Sequence, residues 1–530
     1  MKKRFYITTP IYYPSAKLHI GHAYCTVLTD IFARSKRERG YECYFLTGAD
    51  EHGLKIEKNA ALANKTPQQF VDDIVEGFYK LWNLLKITNN DFIRTTQDRH
   101  TKVVQDIFSK MLSNGDIYLG EYEGWYCKDC EAFWTETQVG ADHICPDCGR
   151  PVQKAKEEAY FFKTSKYVDR LLKFYDDNPN FLIPESRKNE MINTFIKPGL
   201  DDLCISRTSF KWGIPIKENP KHVIYVWLDA LTNYITALGY DSEDPTLFNK
   251  YWQDSECEII HILGADITRF HAIYWPMFLM SLGLRLPDRE FVHGLLMVKG
   301  DKMSKSKGNV LDPYPLVERY GLSAVRYYLA REVAFGSNGS FTPEQFVERI
   351  NSDLANSLGN LLNRTVSMVN KYFNGIVPSY RGRVTEFDAS LEELYDSTIR
   401  NYEEAMDDLR ITEAITYVNE LVSRANKYID ETMPWTLAKD GAKIKDLESV
   451  MSHLINILFL AGILYRPVIV DASERLFDQL GLSMEDRQYQ NIYKFGFVGN
   501  VKVNKGEQLF PRLDPLVEVP YITSLMNEKK

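Results

Sequence analysis

Long apolar runs are scarce in this 530-residue chain, and its most apolar run is too short to cross a bilayer. The most apolar run, LINILFLAGIL at 454–464, stops at Tyr465-Arg466-Pro467 and reads as a buried bundle helix. The N-terminus, MKKRFYITTPIYYP, lacks the apolar core of a secretory signal before Pro10 intervenes. A cytoplasmic protein without membrane contact is therefore expected. There is no basic excess either: 64 Lys and Arg face 72 Asp and Glu, a net charge of −8. That excludes wholesale coating of nucleic acid but leaves room for a local basic tract that meets phosphates. Cysteine is sparse, eight in all, with four clustered and Cys25, Cys43, Cys204 and Cys257 scattered. This usage excludes a disulfide framework and suits a reducing compartment with one metal site. Internal repeats and low-complexity segments are absent.

What remains is an ordinary globular composition, 44% apolar and 26% charged, long enough for two to four domains. The 28 Phe and 32 Tyr supply many side chains suited to pockets. The first fifty residues read strand, loop, helix, strand. FYITT is rich in aromatic and β-branched residues and is expected to stop at Pro10. Ile20, Ala23, Tyr24, Val27, Leu28 and Ile31 follow helix spacing, and that helix should end by Gly40. A second strand, ECYFLTG, delivers Asp50, Glu51 and His52 at its carboxyl end, where parallel sheets bind ligands. HVIYVW (222–227), CEIIHILG (257–264) and EFVHGLLMV (290–298) are further strand candidates.

The predicted architecture is α/β, with a catalytic domain in two halves, 1–115 and 222–297, interrupted by an insert at 116–221. A segment at 298–350 follows, then a helical region, 351–530, marked by the stripe Leu354, Leu358, Leu361, Leu362, Val366, Val369 and Phe373.

Three constellations carry chemistry. Cys127-x2-Cys130 and Cys145-x2-Cys148 have the spacing of two zinc knuckles. Four thiolates close the coordination shell, so one structural zinc is expected and no open position for catalysis. MVKGDKMSKSKGNVLDP (297–313) places Lys299, Lys302, Lys305 and Lys307 on a glycine-flanked loop, suited to the charge of a departing pyrophosphate. By itself such a tract is more often a solvated surface. AKLHIGHAY (16–24) puts His19 and His22 at a helix N-terminus. They could bind phosphate oxygens there, share a metal, or simply pack, and Gly21 would let a nucleotide approach the backbone.

HIGH (19–22) followed by KMSKS (302–306) resembles the paired signatures of class I aminoacyl-tRNA synthetases. TTPIYYPSAKLHIGHAY (8–24), TGADEHGLKI (47–56), YVWLDALTNY (225–234), GADITRFHAIYWP (264–276) and KMSKSKGNVLDP (302–313) narrow it to the methionyl-tRNA synthetase family, bacterial type. NLLNR (360–364) and MPW (433–435) extend the similarity into the bundle. The resemblance implies a Rossmann-like domain split by a zinc-knuckle insert, a stem-contact segment bearing KMSKS, and an anticodon-binding bundle. It implies ATP with Mg2+, L-methionine and tRNA(Met) as partners, and adenylation of methionine followed by transfer to the tRNA 3′ end. His19, His22, Lys302 and Lys305 would then stabilise phosphate charge. Gly21, Gly264 and Asp266 would meet adenosine, and Asp50 the substrate ammonium. Ile11, Tyr13, Trp227, Ala230, Leu231, Tyr234, Ile267 and His271 would line the methionine pocket. Asn360, Arg364 and Trp435 would read the anticodon. Some relatives have Ala-Leu-Pro-Tyr at the position of Pro10–Tyr13, and proline at that of Leu231. Many carry a further C-terminal tRNA-binding and dimerisation domain; this chain ends soon after FPRLDP (510–515), so a monomer is expected. Synthetases for isoleucine, valine or leucine need a larger editing insert, and a cysteine enzyme an open zinc. A simpler nucleotidyltransferase would leave the bundle unexplained, and a catalytically silent tRNA-binding module the intact HIGH and KMSKS.

Overall fold

The strand begun by FYITT does not stop at Pro10: β1 spans Arg4–Tyr12. Proline has no N–H to give a ladder, and the pairing of this strand shifts register between Thr8 and Ile11. The extension carries Tyr12 into the core and packs Ile11 against it. In this computed structural model, residues 3–127, 132–134, 136–145, 149–298, 301–302, 310–332 and 336–526 are described. Helix α1 (Ile20–Glu38) ends with Lys36 and Arg37 in its last turn, and Gly40 turns the chain at φ +85°. Then come β2 (Glu42–Ala49) and β3 (Asp91–Arg94).

Next come β4 (Ile117–Cys127), β5 (Ala132–Trp134), β6 (Gln153–Phe162), β7 (Leu182–Ile183), β8 (Leu203–Cys204), β9 (Ser206–Arg207), β10 (Pro215–Ile216) and β11 (Asn219–Ile224). They build two antiparallel sheets, ordered β5-β4-β6-β8 and β10-β11-β9, while β7 leaves them to join the main sheet. HVIYVW is thus only partly strand. It pairs as far as Ile224, and Val226–Thr236 is a helix, α2, whose buried Leu228, Leu231 and Ile235 recur at helical spacing.

The chain then returns as β12 (Cys257–Gly264) and β13 (Arg289–His293). The main sheet is parallel throughout, in the order β3-β2-β1-β12-β13-β7. Strand order reverses between β1 and β12, which opens a crevice at their carboxyl ends. This is a Rossmann-like arrangement, with α1 against one face and α2 against the other. EFVHGLLMV breaks at Gly294, where a Cβ would overlap the Ser337 carbonyl oxygen. Beyond it β14 (Leu296–Val298) pairs with β15 (Asp301–Lys302) and β16 (Gly339–Phe341).

Helix α3 (Leu322–Glu332) precedes the bundle. The bundle's first helix starts at Pro343, earlier than the apolar stripe indicated, and continues through a π-wound stretch, Ile350–Gly359, into α4 (Asn360–Phe373). It is joined by α5 (Asp388–Asp407), α6 (Ile411–Thr432) and α7 (Ile444–Tyr465). The segment 441–465 is long and apolar enough to span a membrane, yet 94% of its apolar window is buried inside the bundle. Arg326 of α3, fully buried, donates to Asp30 of α1 at 2.7 Å and to the carbonyls of Leu85, Pro467 and Val468. The helix that starts with HIGH is thereby clamped to the bundle.

Candidate active site

The start of α1 is capped by its own histidines. His19 is the N-cap, and its Nδ1 accepts from the Gly21 N–H at 3.1 Å. In return the His19 N–H donates to His22 Nδ1, also at 3.1 Å. Backbone N–H groups only donate, so both Nδ1 atoms are bare and each neutral ring carries its proton on Nε2. The rings lie 3.9 Å apart, and Tyr12 meets His22 edge-on. This places two N–H donors at the positive end of a helix dipole, a setting for anionic oxygen. The alternatives of a metal pair and of passive packing gain nothing from it. Among the described residues no group of three or more metal-ligating side chains occurs.

The two histidines line a cleft of about 700 Å³ at the crevice between β1 and β12. Ile11, Tyr13, Gly21, Asp50, Trp227, Ala230, Leu231, Tyr234, Gly264, Asp266, Ile267 and His271 line it too. Asp50 is 8% exposed and its Oδ1 has no hydrogen-bond partner. Burial, with Asp229 and Glu51 nearby, pushes its carboxyl well above the usual range. Burial, and after it Asp50, also pushes the Tyr13 phenol up. A cation entering the cleft would relieve this carboxylate.

The loop bearing Asp50 is tied to α2 through Asp229. This buried carboxylate meets His52 Nδ1 at 2.7 Å and His100 Nε2 at 2.8 Å. Burial alone would raise its pKa, but His52 and His100 outweigh that and hold it low. Helix α2 then presents the apolar wall. Trp227 stacks on Phe270 at 3.5 Å, and Tyr234 stacks on His261 at 4.2 Å. His271 Nδ1 donates to the Ile267 carbonyl (3.1 Å), so its Nε2 accepts from the Tyr234 hydroxyl at 2.8 Å. Burial lowers the His271 pKa to about 4, keeping the ring neutral. A Cβ on Gly264 would come within 2.9 Å of Asp266 Oδ1, so glycine keeps that carboxylate close to the backbone.

Of the lysine tract, Lys305 lies outside the described residues, and Lys302 is described in its backbone. The described residues that flank 303–309 make backbone contacts of their own. Lys302 pairs with Met297, and the Leu311 carbonyl accepts from the Ile20 N–H at 3.0 Å, at the start of α1.

Asn360, Arg364 and Trp435 are not part of the cleft lining. Asn360 donates to Asn426 at 3.3 Å and Arg364 to Asp430 at 2.8 Å, both on α6. Trp435, 41% exposed, follows the left-handed Met433 just beyond that helix. Cys127 and Cys145 are buried beside Val139 and Val152, and Gly149 turns at φ +70°. Cys130 and Cys148 lie outside the described residues.

The cleft also contains residues that sequence reasoning missed, among them Arg207, Phe210, Asn233 and His293. Arg207 and Phe210 come from the insert, and no local pattern marks them. His293 carried a signal: it ends a strand that leads straight to the lysine tract.

Residues 5–366 match the family model described as tRNA synthetases class I (M), and 377–497 that of the anticodon binding domain of methionyl tRNA ligase. The chain is 55% identical to the methionine–tRNA ligase of Halalkalibacterium halodurans, over 100% of this chain and 81% of the relative. It is 55% identical to that of Bacillus subtilis, over 98% of this chain and 80% of that one. Among solved structures it resembles Mycobacterium tuberculosis methionyl-tRNA synthetase in complex with methionyl-adenylate, with TM-score 0.89 and 40% identity, covering 97% of this chain and 100% of the other. The apo form of that enzyme gives TM-score 0.84 and 37% identity, over 97% and 99% of the two chains.

Proposed function

The chain belongs to the methionine-specific class I tRNA synthetases, and we infer from this premise how its own residues perform the reaction. It activates L-methionine with ATP and transfers the methionyl group to tRNA(Met). In the first step a methionine carboxylate oxygen bonds to the α-phosphorus, the bond to the β-phosphate oxygen breaks, and pyrophosphate leaves. In the second step a ribose hydroxyl of the terminal adenosine attacks the methionyl carbonyl, and AMP leaves.

The observation that carries the residue assignment is the buried Asp50 carboxylate, its Oδ1 without a hydrogen-bond partner, in the cleft that the HIGH histidines also line. Asp50 holds the α-ammonium through charge-assisted hydrogen bonds. Ile11, Tyr13, Trp227, Ala230, Leu231, Tyr234, Ile267 and His271 enclose the thioether, where sulfur–aromatic contacts are favourable. His19 and His22 donate Nε2–H to phosphate oxygens, Gly21 gives the nucleotide room, and Gly264 and Asp266 meet the adenosine. Lys302 and Lys305 take the charge of the leaving pyrophosphate. No group bonds covalently to the substrate, so the rate comes from positioning and charge stabilisation. Asn360, Arg364 and Trp435 read the anticodon, a guanidinium and an indole offering stacking faces to splayed bases.

Mg2+ accompanies ATP as the complex of its phosphates. The donor set Cys127, Cys130, Cys145 and Cys148 suits one zinc, and the burial of Cys127 and Cys145 in one small core supports this. Bound zinc would brace the insert, with no part in the chemistry. The insert comprises 116–221, between catalytic halves 1–115 and 222–297, with the stem-contact segment at 298–350 and the bundle from 351. A cytoplasmic monomer fits this role.

Exchange of labelled pyrophosphate into ATP, dependent on added amino acid, tests the assignment. Methionine should drive exchange roughly a hundredfold better than leucine, isoleucine or cysteine. Best exchange with another amino acid, or none at all, would overturn it.

A further inference from the structure

Of the four histidines that line the cleft, His293 has the opposite polarity to His19 and His22. His293 is the ladder partner of Gly264, and its ring packs edge-on against Tyr24 of α1 at 5.0 Å. Its Nδ1 lies 2.8 Å from the Gly294 carbonyl oxygen, which only accepts, so the proton sits on Nδ1. Nε2 is therefore an acceptor, in a side chain only 6% exposed, and it has no hydrogen-bond partner. Burial lowers the ring's pKa, against smaller opposing effects of Gly294 and Asp266, so the ring stays neutral at pH 7. A buried acceptor without a donor is costly, and its position in the lining of the cleft offers it a ligand's donor instead.

The geometry narrows what that donor is. Phosphate oxygens accept, so they match the Nε2–H groups of His19 and His22 and not the bare Nε2 of His293. The point where a Cβ on Gly264 would lie is 4.0 Å from His293 Nε2 and 2.9 Å from Asp266 Oδ1. Two acceptors thus converge over one glycine at the carboxyl end of β12, a pattern that suits hydroxyl groups of a sugar. We propose that His293 Nε2 accepts a hydrogen bond from a ribose hydroxyl of ATP beside Asp266, which makes it a nucleoside-binding residue. This rests on the adenylating role of the cleft, because ATP is the ribose donor invoked.

Calorimetric binding of ATP, 2′-deoxy-ATP, 3′-deoxy-ATP and purine riboside triphosphate to the full chain tests it. His293→Phe keeps a ring against Tyr24 but has no acceptor, whereas His293→Gln keeps an acceptor. The Phe variant should bind ATP roughly tenfold more weakly, with no further loss for the one deoxy analogue that lacks the accepted hydroxyl. Methionine affinity should be unchanged, and the Gln variant should recover part of the loss. Equal losses for ATP and both deoxy analogues would reduce His293 to packing. A loss that vanishes only for purine riboside triphosphate would move its contact to the adenine amine. Either result overturns the proposal. Wild-type protein that discriminates the ribose as expected, yet shows no methionine-dependent exchange, would sink the adenylation reading and leave the ribose contact standing.

Discussion

The two halves of the cleft are built by different means. At the phosphate end the histidine pair is local: the His19 N–H fixes the tautomer of His22 and the Gly21 N–H that of His19, within one helical turn. The amino-acid half is assembled from far apart in the chain. Asp50 is placed by β2, braced through His52 to Asp229, and that residue belongs to the helix carrying Trp227 and Tyr234. Tyr234 in turn depends on His271, and the Tyr6 hydroxyl donates to the Tyr234 carbonyl at 2.8 Å. A locally built site offers donors wherever its helix starts. A distributed one can leave a carboxylate oxygen, Asp50 Oδ1, without a partner in the cleft. On the proposed roles, charge stabilisation is thereby held apart from amino-acid recognition.

If this division holds, a change in one half should spare the other. Lys305→Ala should slow adenylate formation in single turnover by about 100–1000-fold while methionine binding stays intact. An unchanged single-turnover rate would remove Lys305 from the mechanism. Asp50→Asn should do the reverse, weakening methionine binding by roughly 10–100-fold. Its thermal midpoint should not fall. The folded-state pKa of Asp50 is raised, so ionising it costs stability as pH rises toward neutrality, and the amide has no such cost. The same shift gives a sign for ligand binding. The ammonium needs the ionised carboxylate, so methionine affinity in the wild type should weaken as pH falls below the raised pKa, and Asp50→Asn should flatten that profile. A profile unchanged by the substitution would break the link. Tyr234→Phe is the smallest test, roughly a fivefold loss of methionine affinity with ATP affinity unaltered. An equal loss for both ligands would mean that the halves are not separable.

Legibility followed the same line. HIGH, KMSKS and the ladder strands ECYFLTG and CEIIHILG were readable because short-range pattern determines them. HVIYVW was not, because a run of β-branched and aromatic residues does not say where a strand yields to a helix. Here the antiparallel partners β9 and β10 reach only to Ile224. Pro10 looked like a stop because proline lacks a ladder donor, and the register shift that accommodates it is visible only in the pairing. Arg207 and Phe210 carried no sequence signal, since it is tertiary packing that brings the insert to the cleft. The methionine-pocket residues were reached through family resemblance, where spacing alone would have left Trp227 and Tyr234 as core aromatics.

Readable without the fold were the family, a histidine pair at a helix N-terminus, the strand–helix–strand start of the parallel sheet and the buried character of 454–464. Each depends on neighbours within a turn or two, or on a motif long enough to be distinctive. Folding was needed to show that Asp50 Oδ1 has no hydrogen-bond partner, that Arg326 clamps α1 to the bundle, and that His293 presents an acceptor where His19 and His22 present donors. Hydrogen-bond polarity and desolvation belong to whatever surrounds a group, and for a buried group those surroundings come from the rest of the chain.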